Sequence, residues 1–157
     1  MLHKGAIVSI SSYLDEKAVL FLETGARDEA LFQLIGALEK AGRVQDVQQF
    51  SQAIADREKI VSTGVGFGVA IPHAKLKGYC DFFIAVGILK KQGLDWNALD
   101  GCPVQLIFLI GGPDHKQTEY LKILSCLTMA IKNEERRKRL LKATSAQEVI
   151  ALFAENH

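Results

Sequence analysis

The sequence predicts an α/β (α+β) fold: a single compact domain spanning residues 1–157, with a small mixed β-sheet flanked by helices on both faces. Three observations carry that prediction. Apolar residues recur at helical spacing in residues 27–41, 46–57 and 120–131. Two short, almost wholly apolar runs, residues 82–89 and 104–110, have the length and β-branched content of buried strands. The chain has 157 residues, 48% hydrophobic and 24% charged, which suits one packed core and excludes a disordered or disulfide-dense chain.

Taken in order, the opening segment, residues 6–14, leads into an apolar-enriched strand over residues 17–23, closed by Thr24 and Gly25. In the first helix Leu31, Leu34, Ile35 and Leu38 share one face. Asp28 and Glu29 suit its positive end, and Gly42 suits its stop. Asp46 is the N-cap of a second helix, in which Val47, Phe50 and Ile54 form a stripe that continues to Arg57. Phe67, Val69 and Ile71 then alternate with Gly68 and Ala70, the pattern of a strand with one bulky face and one bare one. Pro72 lacks a ladder donor, so this strand is expected to end there with His73 at its tip. Turn-rich residues 93–101 separate the two apolar strands. Tyr120, Ile123, Leu124, Leu127 and Ile131 mark a long amphipathic helix, residues 134–142 a charged one, and Ser145 with Glu148 a capping box for the last. No repeat or linker divides the chain.

Charge and cysteine content narrow the function. With 19 basic and 18 acidic residues the net charge is +1, too little to gather nucleic acid or acidic lipid. The run Arg136, Arg137, Lys138 and Arg139 follows Glu134 and Glu135 and reads as a solvated helix face. Three widely spaced cysteines, Cys80, Cys102 and Cys126, and no secretion-type leader fit a reducing cytoplasm. The apolar runs fall well short of the ~20 residues of a membrane span, so no membrane insertion is expected.

The glycine-rich run at residues 64–68 invites a nucleotide reading, which fails. A phosphate loop needs Gly-Lys and then Ser or Thr, and neither follows Gly68. A dinucleotide fingerprint needs glycine where Val69 stands. No metal site is expected, because six residues separate His73 from Cys80 without a paired motif and His115 is distant. What remains is His73 itself. A neutral imidazole nitrogen can attack phosphorus, and a guanidinium with backbone N–H donors can stabilise the charge that arrives. Arg57, a cation on a buried stripe, and the glycine backbone can supply both, although Arg57 also reads as a helix-end cation on free carbonyls and His73 as a surface or capping histidine.

Residues 57–74, Arg-Glu-Lys-Ile-Val-Ser-Thr-Gly-Val-Gly-Phe-Gly-Val-Ala-Ile-Pro-His-Ala, closely resemble the active-site signature of the fructose/mannitol-type IIA domains of the bacterial phosphoenolpyruvate-dependent phosphotransferase system. Residues 93–104 and 106–110 resemble the family's second half, and the free-standing nitrogen-regulatory IIA proteins look nearest. The resemblance implies a phosphocarrier or regulatory protein in which His73 accepts a phosphoryl group from an HPr-type carrier, Arg57 lies beside that group, and no cofactor is required. Ser62, Thr63 and Gly64 are candidates to stabilise the phosphoryl group, and Val65 and Phe67 to dock a partner. Onward transfer to a sugar-permease IIB domain, regulation of other proteins by contact, and a non-catalytic interaction module are the alternatives. One departure stands out: the family often has a second histidine followed by leucine, where this sequence has Tyr120 and Leu121. A phenol can donate the same hydrogen bond but does not become a cation. His115, five residues earlier, is the other candidate for that role.

Overall fold

The structure is a computed structural model that describes residues 8–154. A short 3-10 helix, Ile10–Tyr13, precedes strand β1, Leu14–Leu22; Ala6 and Ile7 of the expected opening segment lie outside the described residues. Helices α1, Arg27–Lys40, and α2, Val47–Ile60, follow. Then come β2, Gly64–Gly66, β3, Val69–Ala70, β4, His73–Leu76, β5, Phe83–Leu89, and β6, Leu106–Pro113. Helices α3, Gln117–Lys132, α4, Glu134–Lys142, and α5, Ala146–Ala154, complete the described chain.

The sheet is mixed, in the order β1-β5-β6-β3-β2. β1 runs parallel to β5, β5 antiparallel to β6, and β3 parallel to β6, while β2 returns antiparallel on β3. β4 continues along the same side of β6, with Val69 paired to Leu106 and His73 to Ile110. Helices cover both faces. Val69, Ile71, Ile84, Val86, Phe108 and Ile110 pack with Tyr120, Ile123 and Leu127 of α3 and with α5. Ala70, Ala74, Phe83, Ala85 and Leu109 face the other way, onto Leu34, Ile35 and Leu38 of α1 and Phe50 and Ile54 of α2. The period-2 alternation of a strand thus sends each neighbour to a different core. No helix among the described residues is long and apolar enough to cross a membrane.

Local chemistry explains the helix ends. The Asp46 carboxylate accepts the Gln49 N–H at 3.0 Å, as an N-cap should. The Ser145 hydroxyl accepts the Glu148 N–H at 3.2 Å, and the Glu148 carboxylate reaches back to the Thr144 N–H at 3.1 Å. Asn133 caps α4 by accepting the Arg136 N–H at 2.9 Å.

Three expectations are corrected. The glycine-rich segment is a hairpin, since Phe67 at φ 61° and Gly68 at φ 75° both take the left-handed turn conformation between β2 and β3. The strand does end ahead of Pro72, β3 stopping at Ala70, but His73 is not left at its tip: the Pro72 carbonyl accepts the Ile110 N–H at 2.9 Å, and His73 opens β4 alongside β6. The basic run of α4 is not wholly solvated. Arg136 is buried and donates to the carbonyls of Leu152 at 3.2 Å and Ala130 at 3.3 Å, and Arg137 donates to that of Ile131 at 2.7 Å. These carbonyls belong to the last turns of α5 and α3, where i→i+4 donors run out; that of Ala130 also accepts the Asn133 N–H at 3.3 Å.

Candidate active site at the β4 edge

β4 pairs only with β6 among the described strands, so its outer side is an open sheet edge. α2 packs on one face of that edge and α3 on the other. The close fit of the neighbouring strand depends on glycine: a Cβ on Gly112 would lie 2.3 Å from Phe82 Cδ1, and one on Gly111 2.5 Å from Phe83. His73 follows Val69 and Ile71 in the alternation and faces α3, where its ring stands 5.8 Å from that of Tyr120.

Nδ1 of His73 lies 3.0 Å from the Ile71 carbonyl oxygen. A carbonyl oxygen only accepts, so Nδ1 carries the proton and Nε2 keeps the lone pair. The ring is half-buried, and burial holds its pKa below the ordinary value of 6.5. The Ile71 carbonyl and Glu58 oppose that shift, while the charges of Arg57 and Lys75 reinforce it. The imidazole is therefore mostly neutral near pH 7, with Nε2 able to act as a nucleophile.

Arg57 stands in the last turn of α2. Its guanidinium donates to the Val61 carbonyl at 2.7 Å, closing the helix end, and its charge acts on both His73 and Tyr120. Among the described residues no carboxylate forms an ion pair with it. The reason lies next door. Glu58 is occupied by the Thr63 N–H at 3.2 Å, the Thr63 hydroxyl, and the Trp96 indole N–H at 3.3 Å. Its charge is spread over three donors, and Arg57 keeps its remaining N–H groups for another anion.

The loop candidates perform structural work. Thr63, 4% exposed, gives its hydroxyl proton to Glu58 and accepts the indole N–H of Trp96 at 3.1 Å. Ser62 donates to the Trp96 carbonyl at 2.5 Å and accepts the Gly64 N–H at 3.0 Å. In this arrangement none of these three residues has that proton left to offer a phosphoryl group. A Cβ on Gly64 would sit 2.8 Å from Ala98 Cβ, so this loop and the one carrying Trp96 meet in close contact.

Tyr120 is 5% exposed, and burial raises its pKa, so the phenol remains a protonated donor. His115 lies in the bend before α3, with Nδ1 3.7 Å from Asp114, and is not brought to His73. Val65 is 52% exposed, and Ile60, Val61 and Leu121 add further exposed apolar surface beside Arg57 and Tyr120. Phe67 lies apart from them. Its hairpin tip precedes Val69, itself four β6 residues or ~13 Å from His73 by register, and its ring stacks on Arg137 at 4.6 Å.

Residue-pattern reasoning missed three contributors. Glu58 and Trp96 meet across 38 positions and left no local signal. Lys75 did leave one: two residues beyond His73 on a strand, it must share the histidine's face.

Comparison with known proteins identifies the family. Residues 12–156 match the family described as phosphoenolpyruvate-dependent sugar phosphotransferase system, EIIA 2. The PTS system fructose-specific EIIABC component of Bacillus subtilis is 36% identical over 87% of this chain, which spans only 21% of that protein. The PTS system fructose-specific EIIA component of Haloferax volcanii is 33% identical over 95% of this chain and 97% of its own length. The crystal structure of nitrogen regulatory protein IIA-Ntr from Neisseria meningitidis superposes with a TM-score of 0.85 at 29% identity, covering 92% of this chain and 98% of that one. The chain is thus similar both to fructose-specific and to nitrogen-regulatory members. The chain belongs to the EIIA type 2 family of the phosphoenolpyruvate-dependent phosphotransferase system.

Proposed function

We propose that this protein is a phosphocarrier whose His73 takes a phosphoryl group on Nε2 from an HPr-type phosphohistidine carrier. The observation that carries this reading is the Nδ1 hydrogen bond to the Ile71 carbonyl, which leaves the Nε2 lone pair free beside Arg57 and Tyr120. In the transfer, that lone pair attacks phosphorus. The donor's N–P bond breaks, and its electron pair returns to the donor imidazole. The Nδ1 proton stays on His73, so the phosphorylated ring is an imidazolium and a good leaving group for a second transfer. Arg57 and the Tyr120 hydroxyl stabilise the phosphoryl oxygens.

Donor and acceptor both carry the group on protein, so the site is built for contact with a macromolecule. Ile60, Val61, Val65 and Leu121 supply exposed apolar surface around the site for that docking. Phe67, at the hairpin tip, serves partners only where their footprint extends beyond the site. Residues 1–157 act as a single cytoplasmic IIA domain, a reading supported by the Haloferax relative of nearly equal extent. The EIIABC name of the Bacillus relative supports a IIB domain as acceptor, and the likeness to IIA-Ntr supports regulation by contact. Phosphorylated carrier mixed with wild type and with His73→Ala tests the first step: wild type takes the label and the variant does not. Offering labelled protein to IIB domains tests the second. Transfer supports a transport role, and retention of the label across several IIB domains supports a regulatory one.

A further inference from the structure

Lys75 stands two residues beyond His73 on the same face of β4, and its ammonium group is held by neutral partners alone. It lies 4.1 Å above the centroid of the Tyr120 ring and donates to the Gln117 side-chain carbonyl at 2.8 Å. Among the described residues no carboxylate forms an ion pair with it. Arg57 is in the same condition on the α2 side. Two cations without counter-ions therefore flank one neutral imidazole, an arrangement that repels itself until an anion arrives.

The family reading places an anion there only transiently, as the transferred phosphoryl group. The site lacks the second histidine that the family often uses. Tyr120, which takes that place, offers a neutral hydroxyl to the phosphoryl oxygens and a ring face to Lys75. The positive charge that a histidine could bring has moved to the neighbouring strand.

Resting on the phosphocarrier reading above, we propose that Lys75 is a second cationic anchor for the phosphoryl group on His73. Arg57 binds its oxygens from the α2 side and Lys75 from the α3 side. Tyr120 and Gln117 are positioning residues: they hold the ammonium beside the imidazole before transfer, and the Gln117 bond is exchanged for a charge-assisted bond to phosphoryl oxygen on arrival. No covalent bond to Lys75 is made or broken, and its proton stays on Nζ throughout.

The test measures the equilibrium of phosphoryl transfer between an HPr-type carrier and the full chain, for wild type, Lys75→Met, Lys75→Gln and Lys75→Arg. Lys75 is half-exposed on an edge strand, so melting curves are expected to match. Loss of the cation in Lys75→Met and Lys75→Gln shifts the equilibrium towards the carrier about tenfold. Lys75→Arg, which keeps the charge, stays within about threefold of wild type. NMR titration of unphosphorylated His73 supplies a reading that a merely structural lysine would not move: its pKa rises in the two neutral variants. Equal equilibria for wild type and Lys75→Met overturn this inference and leave the phosphocarrier reading standing. Failure of wild type itself to accept label overturns the phosphocarrier reading.

Discussion

Thr63→Val removes one hydroxyl from a buried residue and keeps its shape. Two bonds disappear with it: the hydroxyl's donation to the Glu58 carboxylate and its acceptance of the Trp96 indole proton. The Glu58 carboxylate retains the Thr63 N–H at 3.2 Å and the indole N–H at 3.3 Å. A hydrogen bond to a charged group contributes about 1.5–3 kcal/mol, and Glu58 is only half-buried, so the lower part of that range applies, about 1.5–2 kcal/mol. For a chain of 157 residues this lowers the melting temperature by about 5 °C. The variant also loosens the carboxylate that is held apart from Arg57. Glu58 then competes for the guanidinium, and transfer to His73 slows several-fold. Trp96 is the only tryptophan, so its fluorescence follows both unfolding and the change at its ring nitrogen. Scanning calorimetry, fluorescence and a phosphotransfer time course together complete the assay. A melting temperature within about 1 °C of wild type, with unchanged fluorescence and rate, would refute the reasoning that this network keeps Arg57 free.

Two further outcomes are expected. Tyr120→Phe keeps the ring against His73, Phe82 and Lys75 but removes the phenolic donor, so the phosphorylated form becomes about tenfold less favoured against the carrier, measured by the same equilibrium. The pH dependence has a fixed sign: the folded His73 binds its proton less readily than the unfolded chain, so below about pH 6.5 the unfolded state holds more protons and stability falls with pH. Urea titrations at several pH values detect this as a slope that shrinks in His73→Ala, while label uptake by wild type keeps more than half of its plateau rate at pH 6.5, because a lowered pKa leaves the neutral ring in the majority there.

Much of the fold was legible because its local signals agree with one another. Residues 134–142 are helical as expected, with Asn133 supplying the cap. The Asp46 cap and the pairing of Ser145 with Glu148 follow from short-range chemistry that needs no tertiary information. The glycine-rich segment misled for an equally physical reason: alternation of Phe67, Val69 and Ile71 imitates a strand, and only the positive φ of Phe67 turns it into a hairpin. Gly111 and Gly112 lie beyond the apolar run at residues 104–110, yet they continue β6, packed so closely against Phe82 and Phe83 that a side chain would not fit. At the site, His73 stood out through the proline before it, and Arg57 as a cation that continues the apolar stripe of its helix. Ser62 and Thr63 carried the right functional groups, but the Ser62 proton goes to the carbonyl of Trp96, far away in sequence, and the Thr63 hydroxyl proton to the Glu58 carboxylate. Arg136 looked like surface charge because nothing local reveals that the ends of α3 and α5 converge on it.

Nitrogen-resolved NMR of the chain phosphorylated by phosphoenolpyruvate, the first enzyme of the system and its carrier tests the central claim most directly. The account predicts one phosphoryl group, bound to Nε2 of His73, with the Nδ1 proton still protected by the Ile71 carbonyl. Phosphorylation at Nδ1, at another residue, or nowhere in the presence of a demonstrably active donor would contradict it.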